Sequence, residues 1–474
     1  MNTQRKISMA VAVLVLLIGG ACVNESPNTT DNRPTAAANT NTSAINPAAP
    51  PAAPAPAVVA NAAPVTQPVT LAVLDAFFAL ENFASELKTK LQLTDEQVNK
   101  LKSIARQETS KLRESANQDE YAGRTTAARE EAFEKSKSAI GEEKTRALVA
   151  YVNERWSGDV PATDTPTAAL RNAVGVPQDK RVVVNAPAFR MDLFEGGELL
   201  KSYKIGIGYP EFPLPIGLRK ADAIIFNPTW TPPDEPWVES PGGKVKVGER
   251  IEAGDKLNPL GPIKIPIGLP SLIHGGKAPA KLGGFASHGC VGLTSLQVQD
   301  FAKRLAQLGG AQISDEQIAE YHKNKTETRT VKLGKAVPVE LRYETITVEA
   351  GKLHIYRDVY DRGTNTEENL RKVLQPYGVT LDQLTDRKRA EVTRALGQMA
   401  RDAGGKPARE TPDKSRKESN ANNSASGKVT RTITGVKEVV VEIPALLGKG
   451  YPAPVDLDAG SASKKAVPRS RRRM

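Results

Sequence analysis

Cysteine is nearly absent from this chain: two in 474 residues, Cys22 and Cys290. That excludes a disulfide framework and a four-thiolate zinc site. Aromatic residues are scarce at 5 %, and hydrophobic residues reach only 39 %. Such a chain cannot place every residue around a core, so tails or linkers must absorb part of it. No apolar run approaches the roughly 18 residues a membrane-spanning helix needs. Acidic residues are outnumbered, 54 against 65 Lys and Arg, for a net charge of +11. Over this length the surplus suits an anionic polymer or surface but does not specify nucleic acid. The length allows two or three ordinary domains.

The amino-terminal segment reads as an address. Arg5 and Lys6 form a basic start, and Met9–Ala21 is a nearly continuous apolar run closed by Gly19, Gly20 and Ala21. It is too short to span a bilayer and ends in small residues a signal peptidase accepts. Cys22 follows directly and resembles the lipidated cysteine of a bacterial lipobox, although Gly19 stands where Leu, Val or Ile is usual. The mature protein is therefore expected outside the cytoplasm, in the periplasm or cell envelope, anchored through Cys22. An ordinary cleaved signal with an incidental cysteine is the alternative. Pro27–Pro68 holds nine prolines and only Asp31 and Arg33 as charges. It cannot bury enough apolar area to offset its ordering entropy, and reads as a disordered tether.

The expected organisation is a signal over 1–22, a tether over 23–69 and a helical hairpin or bundle over 70–158. A linker over 159–180 then leads to a β-rich domain over 181–360. A helical segment over 361–402 and a largely disordered basic tail over 403–474 complete the chain. Thr94 and Gln97 make a capping box, followed by Val98, Leu101, Ile104, Ala105 and Leu112 at helical spacing. From Arg181 the period becomes two: Phe189, Met191 and Leu193 alternate with Arg190 and Asp192, Glu195-Gly196-Gly197 turns the chain, and Tyr203, Ile205 and Ile207 continue. Further strand-like runs are Ala223–Phe226, Leu272–His274, Thr330–Leu333, Val337–Leu341, Thr345–Val348 and Leu353–Tyr356. One helix interrupts them, capped by Thr294 and Gln297 and closed by Gly309-Gly310. Helix returns over Glu367–Leu374 and Leu381–Arg401, and Val429–Ile443 has the composition of a strand or two. The fold class expected is multidomain α and β: mostly antiparallel strands with one helix, flanked by helical segments and disordered linkers.

With Cys22 lipidated or removed, Cys290 is the lone thiol of the mature chain. A lone thiol in an exported protein is either buried and inert or kept for its reactivity. Its neighbourhood favours reactivity. Ser287-His288-Gly289-Cys290 surrounds it with small residues, and His274, followed by Gly275, lies 16 residues upstream; two of the four histidines fall in this window. A thiol becomes a strong nucleophile when a nearby imidazole takes its proton, and the imidazolium can then protonate a leaving amine. Gly289 lets the backbone approach a substrate and helps amides point at a developing oxyanion. His322 and His354 read as bystanders, and Trp230 and Trp237, among prolines, as groove wall or core packing alike.

These motifs resemble the L,D-transpeptidase catalytic domain (YkuD type) of bacterial peptidoglycan enzymes, whose signature is His-Gly followed by Ser-His-Gly-Cys. Asn227–Pro233, Asn258-Pro259-Leu260-Gly261 and Leu341–Asp361 look like further stretches of that family. The resemblance covers residues 181–358. It implies Cys290 as nucleophile and His274 as general base and acid, with the Gly275 carbonyl holding the other ring nitrogen. It implies that His288, Gly289 and Cys290 shape the oxyanion site, and that Ser287 orders the loop. The reaction implied has two steps. Cys290 takes an acyl group from a peptidoglycan stem peptide as a thioester, expelling D-Ala; an amine of a neighbouring stem then makes a 3–3 cross-link. No metal or organic cofactor is implied. Two positions depart from the family. Gly292 stands where Arg is usual, with Lys277 or Lys281 as candidates to supply that charge, and Gly276 stands where Thr is common, which is expected to loosen the His274 turn.

Other readings compete. A serine esterase would need Gly at Phe285 for its nucleophile elbow. A zinc site from His274, His288 and Cys290 has suitable ligand types but no clear fourth ligand. Within the family, the same acyl-enzyme serves L,D-carboxypeptidation or attachment of a protein to peptidoglycan. The reading from another class is a non-catalytic envelope-anchoring lipoprotein.

Overall fold

The computed structural model describes residues 69–80, 82–114, 125–157, 175–232, 245–268, 271–407 and 432–457. The expected signal, Cys22, nearly all of the tether and the basic end of the tail lie outside the described residues.

Five helices come first: α1 (Leu71–Phe78), α2 (Phe83–Leu91), α3 (Asp95–Glu114), α4 (Thr125–Ile140) and α5 (Glu142–Ser157). The Thr94–Gln97 capping box forms, with reciprocal bonds of 3.1 and 3.2 Å. Phe77, Phe83, Leu87, Leu101, Val152 and Trp156 build a core of their own. The helices also touch the β-rich domain. Thr70, which caps α1 by accepting from the Val73 amide, donates its hydroxyl to the Glu211 carbonyl at 2.7 Å. Thr125 donates to the Pro210 carbonyl at 2.9 Å, and Ala72 joins the core of the β-rich domain.

That domain contains β1 (Arg181–Asn185), β2 (Arg190–Glu195), β3 (Glu198–Lys204), β4 (Ile207–Gly208), β5 (Gly217–Phe226), β6 (Ile263–Pro266), β7 (Leu272–His274), β8 (Phe285–Ser287) and β9 (Val291–Gly292). Helices α6 (Ser295–Leu308) and α7 (Asp315–Lys323) and the long β10 (Arg329–Arg342) follow. An eight-stranded sheet runs β3-β2-β1-β10-β5-β6-β7-β9, while β4 and β8 form a separate parallel pair. Pairing in the large sheet is antiparallel except for β1 with β10 and β7 with β9. The runs Thr330–Leu333 and Val337–Leu341 belong to one strand, β10, with its register broken between Lys332 and Val337. The apolar face of α6 (Val298, Phe301, Ala302, Leu305) packs on Ile263, Ile265, Ile273 and Val291, so the helix braces the strands that carry the site. One helix was expected here and two are present. The short α7 is amphipathic only weakly and buries Ile318 alone, under its own Ser314 cap.

Strands β11 (Ile346–Glu349) and β12 (Lys352–Tyr356) do not join the large sheet. They pair with each other, and β12 pairs on its other side with β13 (Glu438–Val441), under α8 (Glu367–Leu374) and α9 (Asp386–Met399), around a separate core that includes Leu353, Ile355, Leu370, Val392 and Val441. The expected boundary at 360 therefore cuts through a unit. Hydrophobic alternation marks these runs as strands, but a strand of the tail completes their sheet.

Candidate active site

The site is built where β7 and β9 run side by side. Their register pairs Ile273 with Val291 and His274 with Gly292. Paired residues direct side chains to the same face, and the face repeats every second residue. His274 thus shares a face with position 292, and Cys290 lies in the turn just before β9, against the Leu272 backbone. The 15 residues between the histidine and the cysteine form a crossover that includes a 3-10 turn at Pro279–Lys281 and β8.

The turn carrying Cys290 is closed by Ser287. The hydroxyl of Ser287 accepts from the Cys290 amide at 3.0 Å and donates to the Cys290 carbonyl at 2.5 Å. Gly289 has φ +85°, a left-handed conformation that suits glycine. The Cys290 amide is occupied by Ser287, which removes it from the expected set of oxyanion donors in this arrangement. The Gly289 amide makes no hydrogen bond among the described residues. The His288 ring lies edge-on to Tyr209 and Phe212, with centroids 5.2 and 4.9 Å away.

His274 is buried, with 3 % of its surface exposed. Its Nδ1 lies 2.8 Å from the Gly275 carbonyl oxygen. A carbonyl only accepts, so Nδ1 carries the hydrogen and Nε2 keeps its lone pair. Burial, reinforced by the Lys277 charge, drives the imidazole pKa down to about 3, against the opposing pull of the Gly275 and Leu260 carbonyls. Burial raises the Cys290 thiol, while the Leu272 backbone and the Lys277 charge pull it back. Both groups are accordingly neutral in the resting protein. Cys290 as a residue is partly buried.

Several contributors escaped the sequence reading. The Leu260 carbonyl reaches His274 because the Asn258–Gly261 turn packs on the histidine turn. A Cβ on Gly261 would lie 2.5 Å from the Gly276 nitrogen, and one on Gly276 would lie 3.1 Å from the Gly261 Cα. Gly276 therefore leaves no slack, contrary to the loosening expected: the Gly261 backbone fills the space. Gly208 is the second such point. A Cβ there would stand 2.0 Å from the Phe212 oxygen and 3.0 Å from the Gly289 nitrogen. The loop from Tyr209 is tied to the site by the Tyr209 amide, which donates to the Ser287 carbonyl at 2.9 Å. At Gly292, the stem of Lys277 occupies the space a side chain would take.

The other candidates lie elsewhere. His354 pairs with Glu438 across β12 and β13 at 2.5 Å, and His322 sits on α7. Trp230 packs with Val245 and Ile251; Trp237 lies outside the described residues. Among the described residues, no three His, Cys, Asp or Glu are grouped to hold a metal. No described helix is long and apolar enough to cross a membrane.

A partly buried thiol in the turn before β9 and a buried imidazole on β7 thus lie at the ends of two paired strands. In comparison with known proteins, residues 179–339 match the model of the L,D-transpeptidase catalytic domain, YkuD. The match lies on the β-rich domain and ends inside β10. Similar solved structures include the catalytic domain of the E. faecium L,D-transpeptidase, at 16 % identity and TM-score 0.23, covering 35 % of this chain and 100 % of that one. Another is the L,D-transpeptidase from Mycobacterium smegmatis, at 18 % identity and TM-score 0.19, covering 34 % of this chain and 58 % of that one. A third is an L,D-transpeptidase from Mycobacterium tuberculosis, at 15 % identity and TM-score 0.19, covering 34 % and 57 %. The chain thus spans less than two thirds of the two mycobacterial enzymes. No curated protein matches.

Proposed function

We propose that the protein is a peptidoglycan L,D-transpeptidase that forms 3–3 cross-links through a thioester on Cys290. The observation that supports this most is the β7–β9 register, which sets the turn carrying Cys290 beside the strand carrying His274, with Nδ1 of His274 engaged by the Gly275 carbonyl.

The chemistry follows from that arrangement. Nε2 of His274 takes the Sγ proton as sulfur attacks the carbonyl carbon of the L-centre of a stem diamino acid. The tetrahedral oxygen is met by the Gly289 amide. The intermediate collapses, His274 returns the proton to the departing amine, and D-Ala leaves. An amine of a neighbouring stem then attacks the thioester, passing its proton to His274, and the sulfur is released and reprotonated. A depressed imidazole pKa suits this cycle, because His274 enters each step as a free base and its transient imidazolium readily gives the proton up. None of these steps draws on a metal or organic cofactor.

The same reading puts the mature protein in the periplasm or cell envelope, tethered to a membrane by a lipid on Cys22, with peptidoglycan stems as donor and acceptor. Palmitate labelling that persists in the Cys22→Ala variant overturns the anchor.

Intact-mass analysis after incubation with disaccharide-tetrapeptide tests the function. The expected result is a mass increase on Cys290 with release of D-Ala, followed by cross-linked dimer. Trimmed stems without dimer turn the reading to L,D-carboxypeptidation, and acceptance of a protein amine turns it to protein attachment. Equal activity in Cys290→Ala removes the proposal altogether.

A further inference from the structure

Lys277 is anchored on the strand that carries the nucleophile. Its amide donates to the Leu293 carbonyl at 3.0 Å. Its aliphatic stem then lies over Gly292: a Cβ built on that glycine would come 2.8 Å from Cγ, 3.1 Å from Cε and 3.4 Å from Cδ. Position 292 is the one that pairs with His274. The stem therefore runs along the face that His274 shares with position 292, with its ammonium near enough to His274 and Cys290 to act on both. A side chain at 292 would exclude it, so the glycine and the lysine are two halves of one arrangement.

The ammonium has no anion of its own. Among the described residues, no carboxylate forms an ion pair with Lys277 and no acceptor takes a hydrogen bond from Nζ. The charged or titratable groups that face it are Cys290, Lys281 and His274. Burial depresses its pKa, as does the Lys281 charge, whereas Cys290 alone favours the cation. A half-buried cation without a partner is unfavourable unless an anion arrives from outside.

We infer that Lys277 is the specificity-determining cation of the donor site, pairing with the terminal carboxylate of the residue that the acyl donor loses. The inference rests on Cys290 being the acylated nucleophile. A carboxylate on the leaving residue lies a few bonds from the scissile carbonyl, within the span of a lysine beside the sulfur. The pairing orients the donor before attack and is released with the product.

The test uses the full chain, with Lys277→Met and Lys277→Arg, and two donors: disaccharide-tetrapeptide and its terminal-amide analogue. Acylation of Cys290 is followed by intact mass, and the pH dependence of iodoacetamide alkylation reports the thiol. With the free carboxylate, Lys277→Met is expected to raise KM about tenfold or more with little change in kcat. Lys277→Arg should recover most of the loss. With the amide donor, Lys277→Met should lose markedly less than with the free carboxylate, because only the effect of the Lys277 charge on the thiol is then removed. Equal losses on both donors, with the alkylation midpoint moved upward, show a lysine that only tunes the thiol and overturn the inference. So does an unchanged KM in Lys277→Met. If neither donor acylates the wild type, the functional reading itself fails and this inference falls with it.

Discussion

Ser287 and Cys290 are bound twice: one hydroxyl accepts from the Cys290 amide at 3.0 Å and donates to the Cys290 carbonyl at 2.5 Å. The serine thereby sets the backbone from which the thiol projects. Replacing it with alanine leaves both backbone groups without that partner. Ser287→Ala is expected to lower stability by about 1–2 kcal/mol. Donor acylation should fall on the order of tenfold to a hundredfold, because a misplaced nucleophile loses orientation. Thermal unfolding and acylation rates, measured on the same preparation, check this.

His274 makes stability depend on pH in a definite direction. Its folded pKa is about 3, below the ordinary imidazole value of about 6.5. The unfolded chain therefore binds the proton more readily, and the stability this histidine confers is fully present above about pH 6.5 and lost as pH falls towards 3. Denaturant titrations should show unfolding free energy declining across that window, with a shallower slope in His274→Gln. In the wild type, alkylation of Cys290 should have its midpoint above the ordinary thiol value of about 8.5, since burial raises it.

Gly208 and Gly284 offer a contrast between two glycines near the site. A Cβ at 208 would strike the Phe212 oxygen at 2.0 Å, whereas one at 284 meets nothing closer than 3.9 Å. Gly208→Ala is expected to cost about 1–3 kcal/mol and to depress acylation by moving the Tyr209–Phe212 loop against His288. Gly284→Ala should resemble the wild type in melting temperature and rate.

At position 292 the structure reverses a simple expectation. An arginine would supply charge, but its Cβ would stand 2.8 Å from the Lys277 Cγ. Gly292→Arg alone is expected to lower both melting temperature and acylation rate. Combined with Lys277→Ala it should recover part of each, giving a non-additive double-mutant cycle. Additive losses would show that the two positions do not share space.

Much of the site was legible because it is local. Ser287-His288-Gly289-Cys290 is one turn, and the Thr294–Gln297 cap behind it is another. The His274-Gly275 pair could be read because one residue supplies the ring and the next its acceptor. Leu260 and Gly208 could not be read in these roles, because each acts through a backbone approach that no periodicity records; Lys277 was legible as a candidate for the charge missing at Gly292, but not the lie of its stem over that glycine. The fold divides in the same way. Arg190 and Asp192 alternate with apolar residues as an exposed polar face would, yet both are buried. Arg190 binds Asp192 and Glu349 at 2.8 Å each, and Tyr451 donates to Asp192 at 3.1 Å.

What residue order settled alone was which groups exist, which turns and caps hold them, and which strands have two unlike faces. Those properties depend on neighbours within a few positions. Tertiary structure decided what covers each face: that β12 pairs with a strand of the tail, that α6 braces the site, and that a lysine stem takes the room left by Gly292. Side-chain alternation reports that two faces differ, but their occupants come from distant parts of the chain and are selected only when the whole packs.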